Sequence, residues 1–188
     1  MRSVVACLRI GTLAVAAATL MVACATGPEI NRDINPAANF AGYKTFGFFS
    51  PLATDKAGYE TVFTGRLKDS TRRTMESKGY VYSEIGPDLL LNFFANIQEK
   101  QEIRVWPAPM GYYGYRRGYY GGWGPASVDT INYSEGTLTL DLVEAKRKIL
   151  VWQATAVGSV SNEARTNPGP AIDAVVTQMM APLPGAGS

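Results

Sequence analysis

Two short runs of strict alternation set the limits on what this chain can fold into. From Asp88 to Gln98, Leu89, Leu91, Phe93, Ala95 and Ile97 fall on one side; Asn92, Asn96 and Gln98 fall on the other, with Leu90 and Phe94 making that side partly apolar. From Thr137 to Leu142 the period repeats, leucines on one side and Thr137, Thr139 and Asp141 on the other. A period of two belongs to a strand that packs one face on a core. The mixed second face suits a sheet covered by helices on one side. The rest of the chain must supply that cover.

Tyr43 to Phe49 reads as a first strand, aromatic-rich and ended by Ser50-Pro51. Lys56 to Lys78 reads as a helix: Tyr59, Phe63, Leu67 and Thr71, with Val62, Thr74 and Met75, recur at helical spacing. Gly79 stands where a left-handed cap ends a helix. The strand at Asp88 continues through Glu99 and Gln101 toward Trp106. Glu144 to Lys148 is a charged turn, and Ile149 to Val160 forms an antiparallel hairpin with the 137–142 strand. Asn167-Pro168 opens a second helix with an apolar side of Ile172, Val175, Val176 and Met179, stopped by Pro182 and Pro184. The expected fold is α+β: a mostly antiparallel sheet of about four strands with two helices packed on one face, in the order β-α-β-(long loop)-β-β-α.

Cys24 decides where the domain begins. It follows an apolar run, Ile10 to Val22, broken only by Gly11, Thr12 and Thr19 and preceded by Arg2 and Arg9. That run is shorter than the ~20 residues a bilayer span needs, and the layout is that of an export signal. Met21-Val22-Ala23-Cys24 resembles a bacterial lipoprotein box, with Met21 where Leu is commonest. The resemblance implies cleavage between Ala23 and Cys24, a diacylglycerol on the Cys24 sulfur and an N-acyl lipid on its amine. Ala25 rather than Asp follows the cysteine, which implies the outer membrane, periplasmic face, with the inner membrane as the alternative. The expected organisation is a signal peptide over 1–23, a lipidated tether over 24–36 and one domain over 37–184, with a Tyr/Gly-rich loop at 106–125.

Composition removes several chemistries. The chain has no histidine, so Ser–His and Cys–His catalysis and Cys/His zinc sites are excluded. Cys7 leaves with the signal and Cys24 takes lipid, so no disulfide is expected. The formal net charge of +2 comes from Arg2 and Arg9, which leaves a neutral domain without a nucleic-acid footprint. No metal site and no cofactor beyond the covalent lipid is expected. A carboxylate-dependent cell-wall hydrolase would draw on Glu84, Asp88, Glu99, Glu102 and Glu135, but Asp88 opens a strand and the others read as solvated edges or turns.

The unusual stretch is the loop. Trp106, Tyr112, Tyr113, Tyr115, Arg116, Arg117, Tyr119, Tyr120 and Trp123 are interleaved with glycines. Glycine at that spacing opposes a helix and weakens a strand. The loop reads either as a loose hairpin extension or as an adhesive surface, since Tyr and Trp bring large contact area with few rotatable bonds and arginines stack on rings. Its partner would be an envelope protein, peptidoglycan glycan or the membrane interface.

Taken in order, Asn39-Phe40 with Tyr43-Lys44-Thr45-Phe46, then Lys78-Gly79-Tyr80 with Pro87-Asp88-Leu89, then Gly136 to Leu142 with Leu150-Val151-Trp152, resemble the bacterial DUF4136 lipoproteins, a domain of unknown function. The resemblance spans Asn35 to Pro184. It implies an envelope location and an α+β fold and brings no catalytic residues. The function expected is non-catalytic: a lipid-anchored interaction or structural module, or alternatively an accessory subunit of an envelope transport or assembly complex.

Overall fold

The computed structural model describes residues 27–106 and 127–188. Six strands form one sheet: β1 (Glu29–Ile34), β2 (Thr45–Phe48), β3 (Val81–Tyr82), β4 (Leu89–Trp106), β5 (Ser127–Glu144) and β6 (Ile149–Ser159). Their spatial order is β1-β6-β5-β4-β2-β3. The helices are α1 (Val62–Ser77), the short α2 (Asn162–Thr166) and α3 (Pro168–Met180), with a 3-10 turn at Phe40–Gly42.

The fold is α+β, but the expected sheet of about four mostly antiparallel strands with two helices is overturned: the described residues form a six-stranded mixed sheet with three helices. β1–β6, β6–β5 and β5–β4 are antiparallel, while β2 runs parallel to both β4 and β3. Parallel neighbours need a crossover, and α1 supplies it between β2 and β3. The two unexpected strands leave almost no periodic signal. β3 has two residues, and β1 is a polar edge with Ile30 as its half-buried residue. Sheet edges are commonly kept polar because exposed apolar edges pair with other chains. β1 also lies within the stretch expected to be tether, taking up Glu29–Ile34.

α1 starts at Val62, later than expected. Lys56 to Tyr59 instead forms a tight turn with Ala57 and Gly58 at positive φ. Thr61 caps the helix, its hydroxyl accepting from the Thr64 N–H at 3.1 Å. At the other end Gly79, at φ +90°, donates its N–H to Glu76 O, and Tyr80 donates to Met75 O. That double closure is the glycine-capped helix end expected there.

α1 and α3 lie side by side on one face of the sheet, bridged by Arg73 to Asp173 at 2.6 Å. Leu67, Met75, Val176 and Met179 cover Phe46, Leu91, Phe93, Leu140 and Leu142, all fully buried. The opposite face carries half-buried polar side chains that satisfy one another. Thr139 and Thr155 hydroxyls meet at 3.0 Å, and the Gln153 amide donates to Asp141 at 2.8 Å. Phe94, on that open face, is 46% exposed, whereas its neighbour Phe93 is fully buried.

Candidate functional site

β4 and β5 pair without a break from Leu89↔Glu144 to Trp106↔Ser127. Only their first part lies in the sheet proper. β2 pairs with β4 no further than Leu91, and β6 pairs with β5 no further than Glu135. Beyond those points β4 and β5 run on as a two-stranded arm that α1 and α3 do not cover. Ala95 and Ile97 continue the inward alternation of Leu89, Leu91 and Phe93, yet both are exposed.

A two-stranded ribbon alone is marginal in water, and this one is braced at its base. Arg165 of α2 donates to Glu99 at 3.2 Å and also contacts the Ser134 hydroxyl, while Ser134 donates to Glu99 at 2.7 Å. The Val160 N–H adds a bond to Ser134 O at 2.8 Å. Further out, on the opposite face, Lys100 pairs with Glu135 and Arg104 pairs with Glu102 at 2.9 Å. The hydrogen bond from Lys100 to Glu135 raises the Lys100 pKa, and the bond from Arg104 lowers that of Glu102.

The end of the arm is apolar on one face. Ile103, Val105 and Val128 share the side that faces the core lower down, and they are 66%, 61% and 59% exposed. Trp106, 54% exposed on the other face, donates its indole N–H to Asp129 at 3.1 Å. Trp106 is thus the one loop residue with a described position. Tyr112, Tyr113, Tyr115, Arg116, Arg117, Tyr119, Tyr120 and Trp123 lie outside the described residues, as do Ala23 and Cys24.

The acidic candidates are dispersed. Glu99 serves the brace, and Glu102 and Glu135 pair with cations on the arm. Glu84 sits in the turn after β3, near the Tyr82 hydroxyl. Asp88 joins two strands: its carboxylate accepts from the Lys44 and Thr45 N–H groups, both at 3.0 Å, and from the Thr45 hydroxyl at 2.9 Å. Burial alone would push the Asp88 carboxyl up; those hydrogen bonds outweigh it and hold it below its ordinary value. Among the described residues, no group of three or more His, Cys, Asp or Glu side chains could hold a metal ion.

Two shallow polar concavities lie along α1. One of about 270 Å³ runs between α1 and α3, lined by Ser70, Arg73, Thr74, Ser77, Asp173 and Thr177. The other, about 200 Å³, includes Glu60, Lys68 and Arg72, whose guanidinium stacks 3.5 Å above the Tyr82 ring.

Sequence reasoning places the candidate contact in the loop and carries β4 toward Trp106, but it starts the partner strand only at Thr137 and so misses the distal half of β5. A signal is present on one side: Ile103 and Val105 alternate, whereas Val128 and Ile131, three apart, fall on opposite faces and give no period of two. The Glu99–Ser134–Arg165 brace joins residues far apart in the chain, and no local pattern reveals it.

Comparison with solved structures finds distant likenesses. A PDZ domain protein from Parabacteroides distasonis is 13% identical over 84% of this chain with a TM-score of 0.48, and this chain spans 36% of its length. A PelC dodecamer from Paraburkholderia phytofirmans is 12% identical over 84% of this chain and 99% of its own, with a TM-score of 0.47. A DUF4136 family protein from Bacteroides thetaiotaomicron is 18% identical over 84% of this chain and 96% of its own, with a TM-score of 0.47. No curated protein matches the sequence. The family model described as "Domain of unknown function (DUF4136)" matches residues 30–185, from within β1 to the turn after α3, and the chain belongs to that family.

Proposed function

We propose that this protein is a lipid-anchored, non-catalytic module of the bacterial envelope whose β4–β5 arm presents its contact surface. The observation that carries the reading is Cys24, placed after the Arg-flanked apolar run and only five residues before the first strand. Two or three acyl chains at that cysteine hold a domain stably without a protein span. Among the described residues, no helix is long and apolar enough to cross a membrane. The outer membrane, periplasmic face, is the proposed location, from Ala25.

Cell fractionation tests the anchor. Cys24→Ala should move the protein out of the membrane fraction, and the intact mass of the native product should show cleavage before Cys24 and added lipid. Retention of the variant in the membrane, or an unacylated native product, overturns the anchoring. Deleting Tyr112–Trp123 tests the contact surface: the domain should still fold and should lose its crosslinks to envelope components. The role of accessory subunit in an envelope assembly is favoured by one feature, the outer edges of the arm, which pair with no other described strand beyond Leu91 and Glu135. Such edges accept a further strand from a partner.

A further inference from the structure

We propose that the distal half of the β4–β5 arm rests in the headgroup region of the same bilayer that holds Cys24, so that the domain is attached at two points in a fixed orientation. The inference rests on the lipidation of Cys24 and adds to it a second contact, made by strand residues.

Strand register supplies the argument. Glu29 pairs with Val157, Val157 with Thr137, and Thr137 with Asn96. One row across the sheet therefore holds both the start of β1 and the point from which the arm departs. The chain before Glu29 leaves in the direction of the arm: Pro28 lies beside Gly158, where an added Cβ would stand 3.0 Å from the proline ring. The start of β1 and the arm thus lie at the same end of the sheet.

Covalent reach then fixes which way the arm points. The five residues from Cys24 to Glu29 span at most about 17 Å. The sheet on the far side of that row, from Asn96 back to Leu89, is about 24 Å deep at the rise of an antiparallel strand. The tether is too short to pass around that depth, so the arm cannot point away from the bilayer. From the row of Asn96 the β4–β5 ladder extends about 33 Å to Trp106, nearly twice the tether's reach. An upright domain would drive the tip through the headgroups, so the domain leans and lays the arm along the bilayer surface.

The tip has the composition this contact needs. Ile103, Val105 and Val128 form an exposed apolar face. Trp106 sits at the end of β4, and tryptophan favours the level where headgroups meet acyl chains. Arg104 is neutralised by Glu102. The outer strand edges, which pair with no other described strand, bar entry into the hydrocarbon core, where every backbone group must be bonded. The contact is therefore interfacial and does not span.

The test uses the full chain, exported and processed, in vesicles of phosphatidylethanolamine and phosphatidylglycerol. Cys7 departs with the signal and Cys24 is blocked by lipid, so a single introduced cysteine takes an environment-sensitive fluorophore. Val105→Cys, with Val128→Cys as a second position, reports the tip; Lys146→Cys, in the turn at the opposite end, is the control. A quencher carried on the lipid should lower the tip signal at least about twofold, as expected for a probe within ~10 Å of the acyl boundary, and leave the control unchanged. Intact mass of the same preparation reads the anchor separately. A lipidated protein whose tip probes stay as open to aqueous iodide as the control overturns the arm contact and leaves the anchor standing. A preparation without lipid overturns the anchor and removes the basis of the orientation argument. Tip probes shielded before vesicles are added, with crosslinks between copies, assign the apolar face to a second copy of the chain and overturn the bilayer contact.

Discussion

Phe93 and Phe94 are adjacent on β4 and point to opposite faces, which makes them a direct test of one-sided cover. Phe93 is fully buried and its ring lies 5.9 Å from that of Phe48. Truncating a buried phenylalanine costs about 3–5 kcal/mol, from lost transfer energy plus an unfilled cavity. Phe94 is 46% exposed, so its burial contributes about 1 kcal/mol by the transfer scale. Equilibrium urea unfolding reads both. With a slope of ~2 kcal/mol per molar, Phe93→Ala should lower the midpoint by about 1.5–2.5 M and Phe94→Ala by about 0.5 M. A domain of this size loses about 2–4 °C of Tm per kcal/mol, so calorimetry should show the same ratio. Equal losses for the two variants would mean that the second face is also packed, and the assignment of α1 and α3 as the cover would fall.

Gly79→Ala should cost about 1–2 kcal/mol from the left-handed backbone alone, because the added Cβ would meet Ala186 at an ordinary 3.7 Å; Gly169→Ala, near the start of α3 with nothing within 4 Å, should stabilise by about 0.5–1 kcal/mol, and thermal melts separate the two signs. Asp88→Asn should lose about 2 kcal/mol at pH 7 by weakening the charge-assisted bonds from Lys44 and Thr45. Because the Asp88 pKa is lowered on folding, its contribution is complete above the ordinary value of 3.8 and is lost as pH falls through the lowered one, so the gap between wild type and variant should close in acid denaturation series. Burial, with the nearby Tyr43 phenol, pushes Tyr80 up to about 12. The raised pKa stabilises the fold fully below the ordinary value of 10.0, and that contribution is lost as pH rises toward about 12. The stability difference between wild type and Tyr80→Phe, which also lacks the bond to Pro184 O, should be level up to about pH 10 and shrink above it.

Legibility in the sequence follows burial. Leu89, Leu91, Phe93, Leu140 and Leu142 repeat every second residue because helices cover them, and they are readable for that reason. Gly79 is readable because its conformation has few alternatives among residue types. β1 reads as tether because an edge strand bonds through its backbone: Asn35 N–H to Val151 O continues the pairing with no apolar residue to announce it. The parallel placement of β2 between β4 and β3 is set by the crossover of α1 and by Asp88 joining Thr45, a contact 43 positions apart. The expected helix start at Lys56 fails because Tyr59 keeps helical spacing with Phe63 and Leu67 while Gly58, at φ +81°, turns the chain first. Ala95 and Ile97 do continue the inner face, but sequence alone does not reveal where the covering helices end.

The unbroken pairing of β4 with β5 has a mechanical consequence. The slip in ladder phase between neighbouring strands is at Leu142/Val143 against β6, and the two long strands themselves run from buried row to tip without a bulge or hinge. They form a single stiff lever with its fulcrum at the Arg165 brace. A load applied along the strands at Trp106 is carried by both rails toward the row of Leu89, Leu91 and Phe93.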